Sequence, residues 1–160
     1  MQFLRSATAA LALAVGLWVG LALGATAPAA AQSPAVRFYA VDGKNLCIDI
    51  AGGKMVPGTI VRLWGCNNAP AQRFGLDPQR GLIYATANPN LCVDDIPGKG
   101  LALVDCRAVR LSWVFDPARY EIRGSDGRCW DVPSGRFLQG IRLIIWRCHG
   151  GAPQRFGAQA

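Results

Sequence analysis

Acid–base chemistry has little to work with in this chain. Glu121 is its only glutamate and His149 its only histidine. A retaining glycosidase needs two carboxyl groups facing each other at about 5 Å. The adjacent pair Asp94 and Asp95 cannot supply them, because neighbours on a strand point to opposite faces. His149 sits in a glycine-rich loop with no partner serine or cysteine in evidence. No C-x-x-C spacing occurs, so a zinc site has no obvious ligand set. Lysine is scarce as well: Lys44, Lys54 and Lys99 stand against fourteen arginines. Those arginines are scattered rather than clustered, which argues against a nucleic-acid stripe. Beyond the N-terminal region no stretch shows a capped helical period of useful length. Together these absences point away from an enzyme, a cofactor, a metal centre and an all-α fold.

The one long uncharged apolar stretch lies at the start. Arg5 gives a short positive beginning, Ala9 to Leu23 carries no charge, and Ala29-Ala30-Ala31 offers a small-x-small cleavage site before Gln32. This is the layout of a secretory signal peptide over residues 1–31. A membrane anchor is the other reading, but the apolar stretch is short for a span and gives way to small residues and proline. The expected mature chain, residues 32–160, suits one domain with one core. It is expected outside the cytoplasm, extracellular or periplasmic, with no stable membrane insertion once the signal is cleaved. Losing Arg5 takes the formal charge from +7 to +6. That balance either attracts anionic surfaces such as acidic glycans or is a solvated arginine-rich exterior.

Six cysteines in an oxidising compartment imply disulfides, and six allow 15 pairings. An internal repeat breaks that degeneracy. Cys47-Ile48-Asp49 leads to Trp64-Gly65-Cys66 and then to Gln72-Arg73-Phe74. Cys129-Trp130-Asp131 leads to Trp146-Arg147-Cys148 and then to Gln154-Arg155-Phe156. In both units the cysteines are 19 residues apart and the glutamine follows the second by 6. Between them lies an eroded copy, Cys92-Val93-Asp94, Val104-Asp105-Cys106 and Leu111-Ser112-Trp113, with a cysteine spacing of 14. Equivalent units make equivalent bonds, so the spacing predicts Cys47–Cys66, Cys92–Cys106 and Cys129–Cys148. Each closed loop contributes about 3 kcal/mol in the chain-entropy account. Short β-rich segments alternate with turn chemistry such as Asp42-Gly43, Pro57-Gly58 and Asn67-Asn68. They give four strands in each of three units, at about residues 35–78, 79–117 and 118–160. Three units with no capping segments suit a closed all-β structure better than an open solenoid. Phe74, Trp113 and Phe156 fall at one equivalent place and are expected to meet at a pseudo-threefold axis.

These pieces (C-x-D, W-x-C and Q-x-F in register) resemble the ricin B-type lectin, a carbohydrate-binding module of the β-trefoil fold whose signature is a repeated Q-x-W. The resemblance covers the whole expected mature chain. It implies an all-β trefoil of three four-stranded repeats with shallow sugar pockets on its outside. The partners would be glycans, galactose-type or acidic. A sugar has an apolar face of C–H bonds and a rim of hydroxyls, which an aromatic ring and a carboxylate can take together. Asp49 with Trp64 offers that pair in the first unit, and Asp131 with Trp146 in the third. The same residues have other readings: the aspartates could accept backbone N–H bonds from the next turn, and the tryptophans could be core. Gln72 and Gln154 complete the candidate set, more as supports beside the core aromatic than as ligand contacts. The family's asparagine before that glutamine is replaced by Ala71 and Pro153. Arg62 shares a strand face with Trp64 and can pair with Asp49 or reach an acidic sugar; Ile144 holds its place in the third unit. With Val104 for the aromatic, the middle unit is expected to have no working site. The other functional class is a trefoil that binds a protein through its longer loops, Ala51 to Thr59 or Pro133 to Gly140.

Overall fold

The computed structural model describes residues 34–160; the expected signal segment lies outside them. Strands β1 (Arg37–Ala40), β2 (Leu46–Ile50), β3 (Val61–Gly65) and β4 (Phe74–Asp77) form the first repeat. The second holds β5 (Leu82–Ala85), β6 (Leu91–Ile96), β7 (Gly100–Asp105) and β8 (Trp113–Asp116). The third holds β9 (Glu121–Gly124), β10 (Arg128–Asp131), β11 (Ile144–Arg147) and β12 (Phe156–Gln159). The only helical pieces among the described residues are five three-residue 3-10 turns, and none can cross a membrane.

The repeats do not coincide with the sheets. All strand pairs are antiparallel, but the three four-stranded sheets run β12-β1-β2-β3, β4-β5-β6-β7 and β8-β9-β10-β11. The last strand of each repeat therefore pairs with the first strand of the next, and β12 returns to β1. A second ring of hydrogen bonds ties the three hairpins together. Leu103 N donates to Thr59 O at 2.9 Å, Leu101 N to Leu143 O at 2.9 Å, and Leu143 N to Val61 O at 3.0 Å. Closure of this kind leaves few free strand edges. It also explains why β11 starts at Ile144 rather than at Ile141, where the apolar run begins. The backbone of residues 141–143 is spent on β3: Leu63 N donates to Ile141 O at 2.7 Å.

Strand alternation divides the faces. In β2, Leu46, Ile48 and Ile50 face the core, while Cys47 and Asp49 stand on the opposite face with their cross-strand partners Trp64 and Arg62. The core is continuous from Phe38 to Phe156. Phe74, Trp113 and Phe156 are all buried, as their equivalence demands. The ring contacts run through Phe38, which lies 6.1 Å from Phe74 and 6.3 Å from Trp130, and through Trp130, which lies 5.6 Å from Trp113. Trp130 stands where the other repeats have Ile48 and Val93, and its larger ring reaches both Phe38 and Trp113. Trp113 in turn anchors its indole by donating Nε1–H to Val93 O at 2.8 Å.

Candidate functional site

The three disulfides are intra-repeat, Cys47–Cys66, Cys92–Cys106 and Cys129–Cys148. In the outer repeats each bond joins the aspartate strand to the chain just after the tryptophan. It therefore fixes the two halves of one pocket against each other.

The third repeat carries the more exposed ring. Asp131 ends β10 and Trp146 lies on β11, both on the face away from the core; Asp131 sits opposite Ile144 and Trp146 opposite Cys129. Trp146 is 59% exposed, whereas Asp131 is only 4% exposed. A 3-10 turn, Ala152–Gln154, buries Gln154 directly beneath the carboxylate. Gln154 Nε2 donates to Asp131 Oδ2 at 2.9 Å and to Arg147 O at 3.0 Å. Its Oε1 accepts from His149 N at 2.7 Å and from Gly150 N at 3.3 Å. Every polar atom of this side chain is used, so Gln154 positions the aspartate and does not face a ligand. His149 forms the other wall. Its Nδ1 accepts from Gly151 N at 3.0 Å, which leaves Nε2 to carry a proton 3.6 Å from Asp131 Oδ2. The turn Pro133–Gly135, with Ser134 at φ 54°, closes the far side of a cleft of about 350 Å³. Burial pushes the Asp131 carboxyl above the ordinary carboxylate range; the hydrogen bond from Gln154 and the nearby His149 oppose this and do not cancel it.

The first repeat has the same frame with a different filling. Gln72 Nε2 donates to Asp49 Oδ2 at 3.3 Å and to Gly65 O at 2.9 Å, and Gln72 Oε1 accepts from Asn67 N at 3.0 Å. Asn67 occupies the position of His149 and uses its Oδ1 in the same way, accepting from Ala69 N at 3.0 Å. Arg62 makes the difference. Its Nε donates to Asp49 Oδ1 at 3.0 Å, and its guanidinium carbon lies 4.0 Å from the centre of the Trp64 ring. Trp64 is partly buried, and the backbone at Gly140 from the third repeat approaches its edge. The cleft here, about 420 Å³, is bounded by Gly52, Gly53, Met55 and Ala71 as well.

In the middle repeat, Asp94 meets the backbone instead of a glutamine. Its Oδ1 accepts from Asp95 N at 2.8 Å and its Oδ2 from Arg110 N at 2.7 Å. Val104 lies opposite Cys92, where the other repeats carry tryptophan. Asp94 is thus held by backbone N–H groups, whereas Asp49 and Asp131 are held by glutamine side chains and not by the backbone of the next turn.

His149 and Asn67 are the pocket residues that the motifs passed over. Each directly follows the second cysteine of its repeat, and that shared offset was the signal available. It was masked because Asn and His are unlike as residue types, although Asn Oδ1 and His Nδ1 accept the same backbone bond.

The family model for the ricin-type β-trefoil lectin domain matches residues 35–156. No curated protein matches the sequence. Among solved structures, the C-half of an earthworm R-type lectin in complex with GalNAc is similar at 20% identity and TM-score 0.66, covering 79% of this chain and 98% of that one. The Vibrio vulnificus hemolysin/cytolysin β-trefoil lectin with bound N-acetyl-D-lactosamine is similar at 18% identity and TM-score 0.64, over 81% and 95% of the two chains. A non-toxic type II ribosome-inactivating protein homologue from bitter gourd, in complex with α-methyl-D-galactoside, matches at 18% identity and TM-score 0.65; this chain spans 48% of its length. The chain belongs to the ricin-type β-trefoil lectin domain family.

Proposed function

We propose that this chain is a secreted carbohydrate-binding module whose leader, residues 1–31, is removed, and whose trefoil takes the terminal sugars of glycans in the shallow pockets of the first and third repeats. The observation that carries the reading is the third pocket: a largely exposed Trp146 ring standing beside a buried carboxylate. A large apolar ring left in water and a charge taken out of it both weigh against folding alone. A hexose answers both at once. Its C–H face covers the indole and its adjacent hydroxyls donate to Asp131, while His149 Nε2–H can donate to a third oxygen. The three disulfides fit an oxidising compartment. The relatives that bind GalNAc, α-methyl-D-galactoside and N-acetyl-D-lactosamine make galactose-type sugars the first ligands to try. Most described arginines already hold a carboxylate partner, Arg107 with Asp105 and Arg128 with Asp126 among them, which supports glycans rather than nucleic acid as partners.

The test is a titration of the purified protein with a panel of galactosides. Trp146→Ala should remove the site of the third repeat, and Trp64→Ala with Trp146→Ala should abolish binding. A ring stack is worth about 0.5–1.5 kcal/mol and a hydrogen bond to a charged group about 1.5–3 kcal/mol. If the double variant binds like the parent, the tryptophans are bystanders and the protein-binding reading gains.

A further inference from the structure

The two outer pockets share one frame and differ in charge. In the third, Asp131 faces a hydrophobic Ile144 across the hairpin, with His149 as its nearest basic group. In the first, Asp49 faces Arg62, and Lys54 stands at the rim, its Cε 3.9 Å from the point where a Gly52 side chain would begin. Lys54 is exposed and makes no ion pair among the described residues. There the carboxylate is paired with Arg62, and Lys54 adds a second cation beside the cleft.

Arg62 is also held in a particular way. Only its Nε is used, on Asp49. Its two terminal nitrogens donate to no protein atom among the described residues, and the side chain is 20% exposed on the wall of the cleft. The bond to Asp49 and the contact over the Trp64 ring together hold the guanidinium in place. An arginine so fixed has lost its rotamer freedom before any ligand arrives, and its free N–H fork matches an oxyanion. The same stack covers the ring face that a neutral sugar would need.

From this we infer that the first repeat is an oxyanion pocket: it takes a sugar bearing a carboxylate or a sulfate, bound by the terminal nitrogens of Arg62, and it discriminates against neutral sugars. The inference rests on the carbohydrate-binding reading and divides it, with neutral sugars at Trp146 and acidic sugars at Trp64.

The indole N–H signals of Trp64 and Trp146 in nitrogen-resolved NMR spectra report the two pockets separately. Methyl glucuronide is titrated against methyl glucoside for the carboxylate, and galactose 6-sulfate against galactose for the sulfate. At Trp64 at least one acidic sugar should bind about tenfold or more tightly than its neutral counterpart, the size expected of a charge-assisted pair. The pair that shows the gain identifies the oxyanion. Arg62→Ile, which copies the third repeat, should erase that preference while leaving Trp146 responses unchanged. Arg62→Lys keeps the charge without the fork and should retain only a small part of it. Equal response to acidic and neutral sugars at Trp64, or a preference that survives Arg62→Ile, overturns the inference. A response to inorganic sulfate as strong as to the sugars overturns it too, since the pocket would then read the ion alone. Galactose shifting Trp146 throughout keeps the lectin reading intact whichever way Trp64 behaves; no galactose response at Trp146 counts against that reading instead.

Discussion

Burial raises Asp131 above its ordinary carboxylate value, and this sets a direction for both stability and binding. Well below the ordinary value, the folded and unfolded chains are both protonated and the group is silent. As pH rises through the unfolded value and on to the raised folded value, the unfolded chain releases a proton that the folded one keeps. Stability contributed by the protonated group is therefore lost across that window, and above it the fold carries a desolvated charge. Asp131→Asn stays neutral at every pH and can still accept from Gln154. It should melt higher than the parent at pH 7, with the difference vanishing in strong acid, while its sugar binding falls. In the parent, sugar affinity should drop as pH falls through the raised value, because a protonated carboxyl accepts hydroxyl bonds poorly. A lower melting temperature for Asp131→Asn at pH 7 would show that the charge is compensated in the fold after all.

At the scale of the element, the rigid parts of the barrel are close backbone–ring contacts. Gly157 pairs with Tyr39 across β12 and β1, and Gly75 pairs with Tyr84 across β4 and β5. A methyl group at Gly157 would stand 2.2 Å from the Tyr39 ring, and one at Gly75 would stand 2.0 Å from that of Tyr84. Both glycines have ordinary backbone angles, so their conservation of space, not of conformation, is what the tyrosines require. Gly157→Ala should displace Tyr39 and cost about 1–3 kcal/mol, the usual range for overpacking; chemical denaturation of the variant measures it. The contacts join strands of different repeats at Gly157–Tyr39 and Gly75–Tyr84, and pairings of that kind were not legible in the sequence. The strands themselves were, because C-x-D and W-x-C alternation places Ile48 and Leu63 inward and Asp49 and Trp64 outward. The repeat also carried the disulfides. What the repeat concealed was the sheet partition, since sequence units run β1 to β4 while hydrogen bonds run from β12 to β3. It likewise concealed Arg62's double engagement, because strand spacing places side chains on a face without saying which of two partners a long one reaches.

The whole molecule sets two chemically different pockets, and one emptied of its ring, around a single axis. Each pocket proposed to bind is small and shallow, so a single sugar should bind with a Kd on the order of 1 mM, about 4 kcal/mol. Function at that affinity depends on holding two sugars at once. When one pocket is engaged, a neighbouring sugar on the same surface is presented at an effective concentration in the millimolar range, and avidity can exceed the single-site affinity by about 10²–10⁴. On the proposed assignment, a surface displaying both neutral and acidic terminal sugars should engage both pockets, and a surface of one kind only one. Retention on immobilised glycans should therefore be strongest on the mixed, dense surface. There, Trp146→Ala or Arg62→Ile alone should reduce retention by far more than half, because each converts a two-point attachment into a single weak one. On a sparse surface, where no second sugar is within reach, Trp146→Ala should cancel neutral-sugar retention and Arg62→Ile should leave it unchanged. Parent-like retention of both single variants on the dense mixed surface would mean that neither side chain is needed for attachment, and loss in only one of them would mean that its pocket carries the binding alone.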